Sequence, residues 1–127
     1  MKYLLMISVW FLSLSAVSQI NGRLTTDSVA GIYIIDLRPT PNSQPYLKEF
    51  KILKPDGTKF DGEFYGYPFT GGFLNLAWEK VYFGFTTKDQ SGTYFHSGFI
   101  EGNTVSGITL HEARGFLMPW KGVKKKE

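Results

Sequence analysis

The chain contains no cysteine. No disulfide can staple its fold, and no thiolate is available as nucleophile or metal ligand. It has only two histidines, His96 and His111, in different segments. A zinc site needs three or four converging ligands, so no metal is expected, and no cofactor is implied. Serines are present, yet none sits in a Gly-x-Ser-x-Gly elbow. No glycine-rich phosphate loop occurs; Lys54-Pro55-Asp56-Gly57-Thr58-Lys59 reads as a hairpin turn. Charge of one sign is scarce too: 14 Lys and Arg stand against 11 Asp and Glu, a formal net of +3. That excess is too small to mark a nucleic-acid surface. Asp61 and Glu63 alternate onto one strand face, where solvation of an exterior accounts for them more simply than acid–base chemistry on a glycoside. An enzyme is the least favoured class.

Long apolar runs are confined to the start. Lys2 precedes the apolar stretch Tyr3 to Leu14, and Ala16-Val17-Ser18 then supplies small residues at the −3 and −1 positions before Gln19. This is the layout of a cleavable signal peptide over 1–18. The stretch is shorter than the ~20 residues that span a bilayer, and no Cys follows it to take a lipid. The expectation is export to the periplasm or beyond, with no transmembrane segment after cleavage. Residues 19–27 read as a polar lead-in, 28–123 as one domain, and 124–127 as a frayed basic tail.

What the chain has in quantity is aromatic residues: 11 Phe, 7 Tyr and 3 Trp, all but Tyr3, Trp10 and Phe11 beyond the apolar start. Each buries ~150–250 Å², the means to hold a small domain without disulfides. They fall in short runs separated by turn residues, the spacing of a sandwich or barrel. The runs are 31–37, 46–53, 59–67, 73–78, 81–87, 93–100, 104–110 and 116–123. Prolines 39, 41 and 45 make 38–45 a long loop. Pro68-Phe69-Thr70-Gly71-Gly72 reads as a second break, and Pro119 demotes the last run to an edge or bulged strand. About eight strands in sequence, joined mostly by tight turns, predict an all-β fold: a single antiparallel up-and-down barrel, with a β-sandwich as the alternative. Closure removes the exposed edges that aromatic strands would otherwise offer to aggregation.

An eight-stranded barrel has an interior that is filled by side chains or holds one small ligand. The candidate interior and ligand-binding residues are Tyr33, Phe60, Phe64, Phe83, Phe85, Phe95, Phe99 and Trp120. Glycines on the Phe60/Phe64 face would leave space for an apolar ligand; the alternative is that the rings simply fill the core. The 38–45 and 66–72 loops are candidates to rim one end.

The strand opening Ala30-Gly31-Ile32-Tyr33 is similar to the Gly-x-Trp/Tyr start of the first strand in the calycins, the group of lipocalins, avidins and fatty-acid-binding proteins. Arg114-Gly115-Phe116-Leu117-Met118-Pro119-Trp120 resembles their last strand, with an Arg and an aromatic. Tyr replaces the lipocalin Trp, and neither a Cys pair nor a C-terminal helix is present. The resemblance implies a lipocalin-like barrel closed by Arg114 stacked on Tyr33. Two roles follow: an exported, non-catalytic binder of a small apolar or amphipathic molecule, or a packed protein-interaction module at the cell surface or in the periplasm.

Overall fold

The computed structural model describes residues 26–126; the expected signal peptide and nearly all of the lead-in lie outside them. A short helix, α1 (Thr26–Val29), precedes β1 (Gly31–Asp36), β2 (Leu47–Asp56), β3 (Lys59–Phe64), β4 (Tyr67–Asn75), β5 (Val81–Asp89), β6 (Gly92–Glu101), β7 (Thr104–His111) and β8 (Phe116–Lys124). Each strand pairs antiparallel with the next, and β8 returns to β1, so the sheet is a closed up-and-down barrel. The seam is short. It matches Tyr33 with Lys124, Ile34 with Val123, Ile35 with Gly122 and Asp36 with Lys121.

The alternation of side chains is clear in β5, where Val81, Phe83, Phe85 and Thr87 are buried between exposed or half-buried neighbours. Such a period of two places one row inside and the other outside. Glu63 and Lys51 lie outside and pair at 3.6 Å across β2 and β3. Inside, Phe50 is fully buried and its ring meets those of Phe85 at 5.1 Å, Phe83 at 5.4 Å and Trp120 at 5.8 Å. Phe69 stacks on Phe85 at 4.2 Å. These rings form a solid plug across the middle of the barrel.

Interior glycines do not leave space; they seat rings. A Cβ on Gly72 would lie 2.6 Å from the Phe60 ring, and one on Gly107 would overlap the Trp120 ring. On the Phe60/Phe64 face itself, a Cβ on Gly62 would lie 2.7 Å from the Phe69 ring, so of the two alternatives rings fill the space there.

Several boundaries differ from the sequence reading; the fourth run, for one, ends as a strand at Asn75 and not at Trp78. The third run does not continue to Tyr67. Phe64 pairs with Tyr67, and Tyr65-Gly66 forms a two-residue turn with φ of 56° and 83°, the positive-φ pattern of a tight hairpin. Residues 68–72 then belong to β4 and not to a loop. β4 pairs with β5 only at Phe73–Asn75, so its Pro68 half is bonded to β3 alone, where a proline does no harm. A register shift between Phe60 and Gly62 accommodates Gly71 at φ 72°. At the C-terminus, Lys124 is part of β8, and the Lys125 N–H donates to Ile32 O at 2.7 Å; the start of the basic tail closes the barrel.

Candidate functional site

The two ends of the barrel differ in chemistry. Around the turns after β2 and β6, and below α1, the interior is aliphatic: Val29, Ile52, Leu74, Val81, Ile100 and Val105 are all buried. Tyr33 closes this end, donating its hydroxyl to Val29 O at 2.9 Å; burial pushes its pKa up to about 12. At the other end, the same inward rows turn polar. Beyond Phe85 on β5 comes Thr87, beyond Gly98 on β6 comes His96, and beyond Gly107 on β7 comes Thr109. There a cavity of about 580 Å³ opens to solvent.

The cavity floor lies against the aromatic plug. His96 stacks on Phe85 at 4.5 Å and meets the tilted Phe64 ring at 4.2 Å. Its ring is held at both nitrogens: Nε2 to Thr87 Oγ1 at 2.8 Å and Nδ1 to Thr109 Oγ1 at 2.9 Å. The Trp120 indole N–H donates to the same Thr109 oxygen at 2.9 Å. Burial drives the His96 pKa down to about 3, so the ring is neutral at physiological pH.

Leu37, Phe116 and Met118 supply apolar wall, and tyrosines 46, 65, 67 and 94 ring the mouth. The Tyr46 and Tyr65 hydroxyls hydrogen-bond to each other. That bond, with some burial, pushes Tyr65 up to about 12. The Lys48 ammonium lies 4.9 Å and 5.0 Å from their two ring centroids, a favourable placement over ring faces. The 38–45 loop does sit at this end, with Pro39 on the cavity. Asp36 pins it, accepting from Arg38 Nη2 at 2.6 Å and from the Tyr46 N–H at 3.1 Å. The Arg38 bond, with that from Tyr46, holds the Asp36 carboxyl down at about 2.

Beside the mouth, Asp89, Ser91 and His111 form a chain. The Arg114 N–H donates to His111 Nδ1 at 3.0 Å, so the neutral ring carries its proton on Nε2, 3.1 Å from Ser91 Oγ. Ser91 in turn donates to Asp89 Oδ1 at 2.6 Å, and Tyr94 donates to Oδ2 at 2.8 Å. The Ser91 bond, then that of Tyr94, lowers the Asp89 pKa. An activated serine needs its proton aimed at a base nitrogen; here the imidazole Nε2–H donates a hydrogen bond to the serine oxygen. The chain ties the β5–β6 turn to β7. Among the described residues, no group of three or more His, Asp or Glu side chains is placed to hold a metal ion.

Of the sequence-nominated residues, Tyr33, Phe60, Phe64, Phe83, Phe85 and Trp120 are buried, and among them Phe64 lines the cavity. Phe95 is 43% exposed and Phe99 is half-buried outside, beneath the Lys80 ammonium at 4.2 Å. Both were placed on the wrong face: on β6 the buried row is His96 and Ile100, so the odd-numbered residues point out. Arg114 does not stack on Tyr33. Its guanidinium lies over Phe116 at 5.2 Å and its Nη1 reaches Tyr94 OH at 3.4 Å. Lys124 takes the place over Tyr33, at 6.0 Å, and donates to Ser28 O at 3.1 Å.

Sequence reasoning missed Phe50, Phe69, Thr87, Thr109 and the tyrosine rim. Phe50 and Ile52 were recoverable, since charged Glu49 and Lys51 flank them in alternation. The polar floor gave no signal, because a Thr or His on a strand fits a packed face or a wet one. The fold and site define a closed eight-stranded antiparallel barrel, compatible with a calycin-like fold, with a plugged waist and one open end. No family model, no curated protein and no solved structure matches this chain.

Proposed function

We propose that this protein is an exported, non-catalytic, lipocalin-like carrier that binds one small apolar or amphipathic molecule at the open end of its barrel. The cavity is the observation that carries the reading. Its volume of about 580 Å³ lies within the range of ~300–1,000 Å³ typical of small-molecule sites. Its lining has the usual character of such sites: rings and aliphatic side chains, with a few fixed polar groups. Export rests on the signal-peptide layout of residues 1–18. The test is native mass spectrometry of the protein purified from its own host. A mass excess that disappears on denaturation, and is identified as a small molecule, supports the reading. Bare protein that also fails to take up any of a panel of apolar dyes would sink it.

A second reading, a protein-interaction module, draws on the outer surface. Phe95, Leu110 and Leu117 are direct cross-strand neighbours on β6, β7 and β8, and all three are exposed. Contiguous exposed apolar side chains of this kind mark contact surfaces. Under this reading Leu110→Lys, away from the cavity lining, abolishes a complex seen by pull-down and leaves dye uptake unchanged.

A further inference from the structure

The cavity floor has a direction, and it follows from one group. An indole N–H donates and never accepts. Trp120 therefore gives its hydrogen to Thr109 Oγ1. The Thr109 hydroxyl also has a hydrogen of its own; the residue borders the cavity but is the more deeply buried of the two threonines, 3% exposed against 8% for Thr87. Its hydrogen-bonded neighbours are Trp120 and His96. Trp120 offers no acceptor, so the hydrogen goes to His96 Nδ1. A hydroxyl hydrogen left without an acceptor in the interior is costly, which sets the opposite arrangement at a disadvantage.

With Nδ1 accepting, the neutral imidazole carries its proton on Nε2. Nε2–H then donates to Thr87 Oγ1, 2.8 Å away. That leaves the Thr87 hydroxyl hydrogen as the end of the chain. Thr87 lines the cavity, and His96 is the hydrogen-bonded neighbour of its hydroxyl. Each donor in such a chain polarises the next, so Thr87 is a strengthened donor aimed into the cavity.

We infer that the ligand of this cavity carries a hydrogen-bond acceptor, such as a carbonyl, ether or pyridine-type nitrogen, at its innermost end, and that Thr87 reads it as the donor terminus of the Trp120–Thr109–His96–Thr87 chain. The inference rests on the proposed binding role and narrows it. A ligand ending in a bare methyl or ring edge would cover the Thr87 hydroxyl and give nothing back. A ligand ending in an N–H could reach the remaining lone pair of Thr87 Oγ1 but would leave the hydroxyl hydrogen without an acceptor. Molecules with an acceptor at one end of an apolar body are selected.

The test uses three compact probes: quinoline (acceptor), indole (donor) and naphthalene (neither), titrated against the wild-type protein and against Thr87→Val and Thr87→Ser. One net hydrogen bond corresponds to about three- to tenfold in affinity. Quinoline is expected to lose about that factor in Thr87→Val and to regain it in Thr87→Ser. Naphthalene and indole should be unaffected or bind Thr87→Val slightly better. In the free wild-type protein, 15N chemical shifts of the His96 ring should show a pyrrole-type Nε2 and a pyridine-type Nδ1. This second measurement does not depend on the variants folding. An Nδ1–H tautomer, or quinoline binding that ignores Thr87→Val, would overturn the donor assignment while leaving the carrier reading intact. Failure of all three probes to enter the wild-type cavity would overturn both.

Discussion

His96 links stability to acidity. Its folded pKa of about 3 lies below the ordinary 6.5, so between those values the unfolded chain binds a proton that the folded one refuses. Stability is then full above about pH 6.5 and falls as pH drops toward 3, by about 1.4 kcal/mol per unit at its steepest. Carboxylates held low, such as Asp36 and Asp89, act in the same direction but only below their unfolded value of 3.8. The interval from about pH 6 to 5 therefore isolates the imidazole: urea midpoints should decline there in the wild type, the decline should shrink in His96→Gln, and the His96 ring resonances should not titrate. A flat midpoint would mean that the ring takes up its proton in the folded state. At Gly107 the argument is steric. A methyl group there overlaps Trp120, and overpacking of a filled interior costs about 1–3 kcal/mol. Gly107→Ala should lower the urea midpoint by an equivalent amount. A neutral result would show that the Trp120 ring has room to move. The position of this glycine inside a strand was visible in the sequence, but its purpose was not. A glycine that lets a strand bend and a glycine that seats a ring look alike until the facing ring is known.

Among the elements, the β3–β4 hairpin and the β1–β8 seam are the most informative. The hairpin puts a tyrosine at φ 56°, a conformation that costs an L-residue about 1–2 kcal/mol. Tyr65 gains in return the hydroxyl bond to Tyr46 and the Lys48 ammonium near its face, together worth about as much. Replacing it by asparagine, which tolerates this φ, removes both cost and gain. Tyr65→Asn should then shift stability by less than about 1 kcal/mol, read from denaturant unfolding, while widening the cavity mouth. The seam carries larger consequences. A chain ending at Lys121 keeps only the Asp36 pairing of the four that join β8 to β1 and loses the Lys124 contact with Ser28. Unfolding should become broad and β1 amides should lose hydrogen-exchange protection, because closure is what supplies their second row of partners. The eight runs, their order and the fact of closure could be read from alternation and turn residues. The boundaries at 65–72 could not, because Pro68 and Gly71-Gly72 punctuate a strand that has a partner on one side only. The true closing contact also escaped pattern reading. Lys124 sits in a run of lysines that looks like a solvated tail, and its reach over Tyr33 depends on a register that no local signal encodes.

At the scale of the whole molecule, the barrel separates what holds it together from what it offers a ligand. Val81, Phe83, Phe85, Thr87 and Asp89 follow one another along the inward row of β5, from aliphatic through aromatic to polar. The plug formed by Phe50, Phe85 and Trp120 stands between the aliphatic end and the cavity. Substitutions at the two ends should therefore act on different properties, since effects at separated sites without shared partners add independently. Ile52 is fully buried at the aliphatic end. Ile52→Ala should cost about 2–5 kcal/mol of stability and leave the affinity for an apolar probe unchanged under conditions where the protein stays folded. Ligand should shift stability from the other end. A probe at a hundred times its dissociation constant adds about 2.7 kcal/mol, and it should do so equally in the wild type and in Ile52→Ala. The measurement is a pair of urea transitions, with and without probe, for each protein. Equal probe-induced shifts mean that the plug insulates the site from the closed end. A smaller shift in Ile52→Ala would mean that a loss of packing below the plug reaches the cavity floor, and the waist would then be a coupling element between core and site.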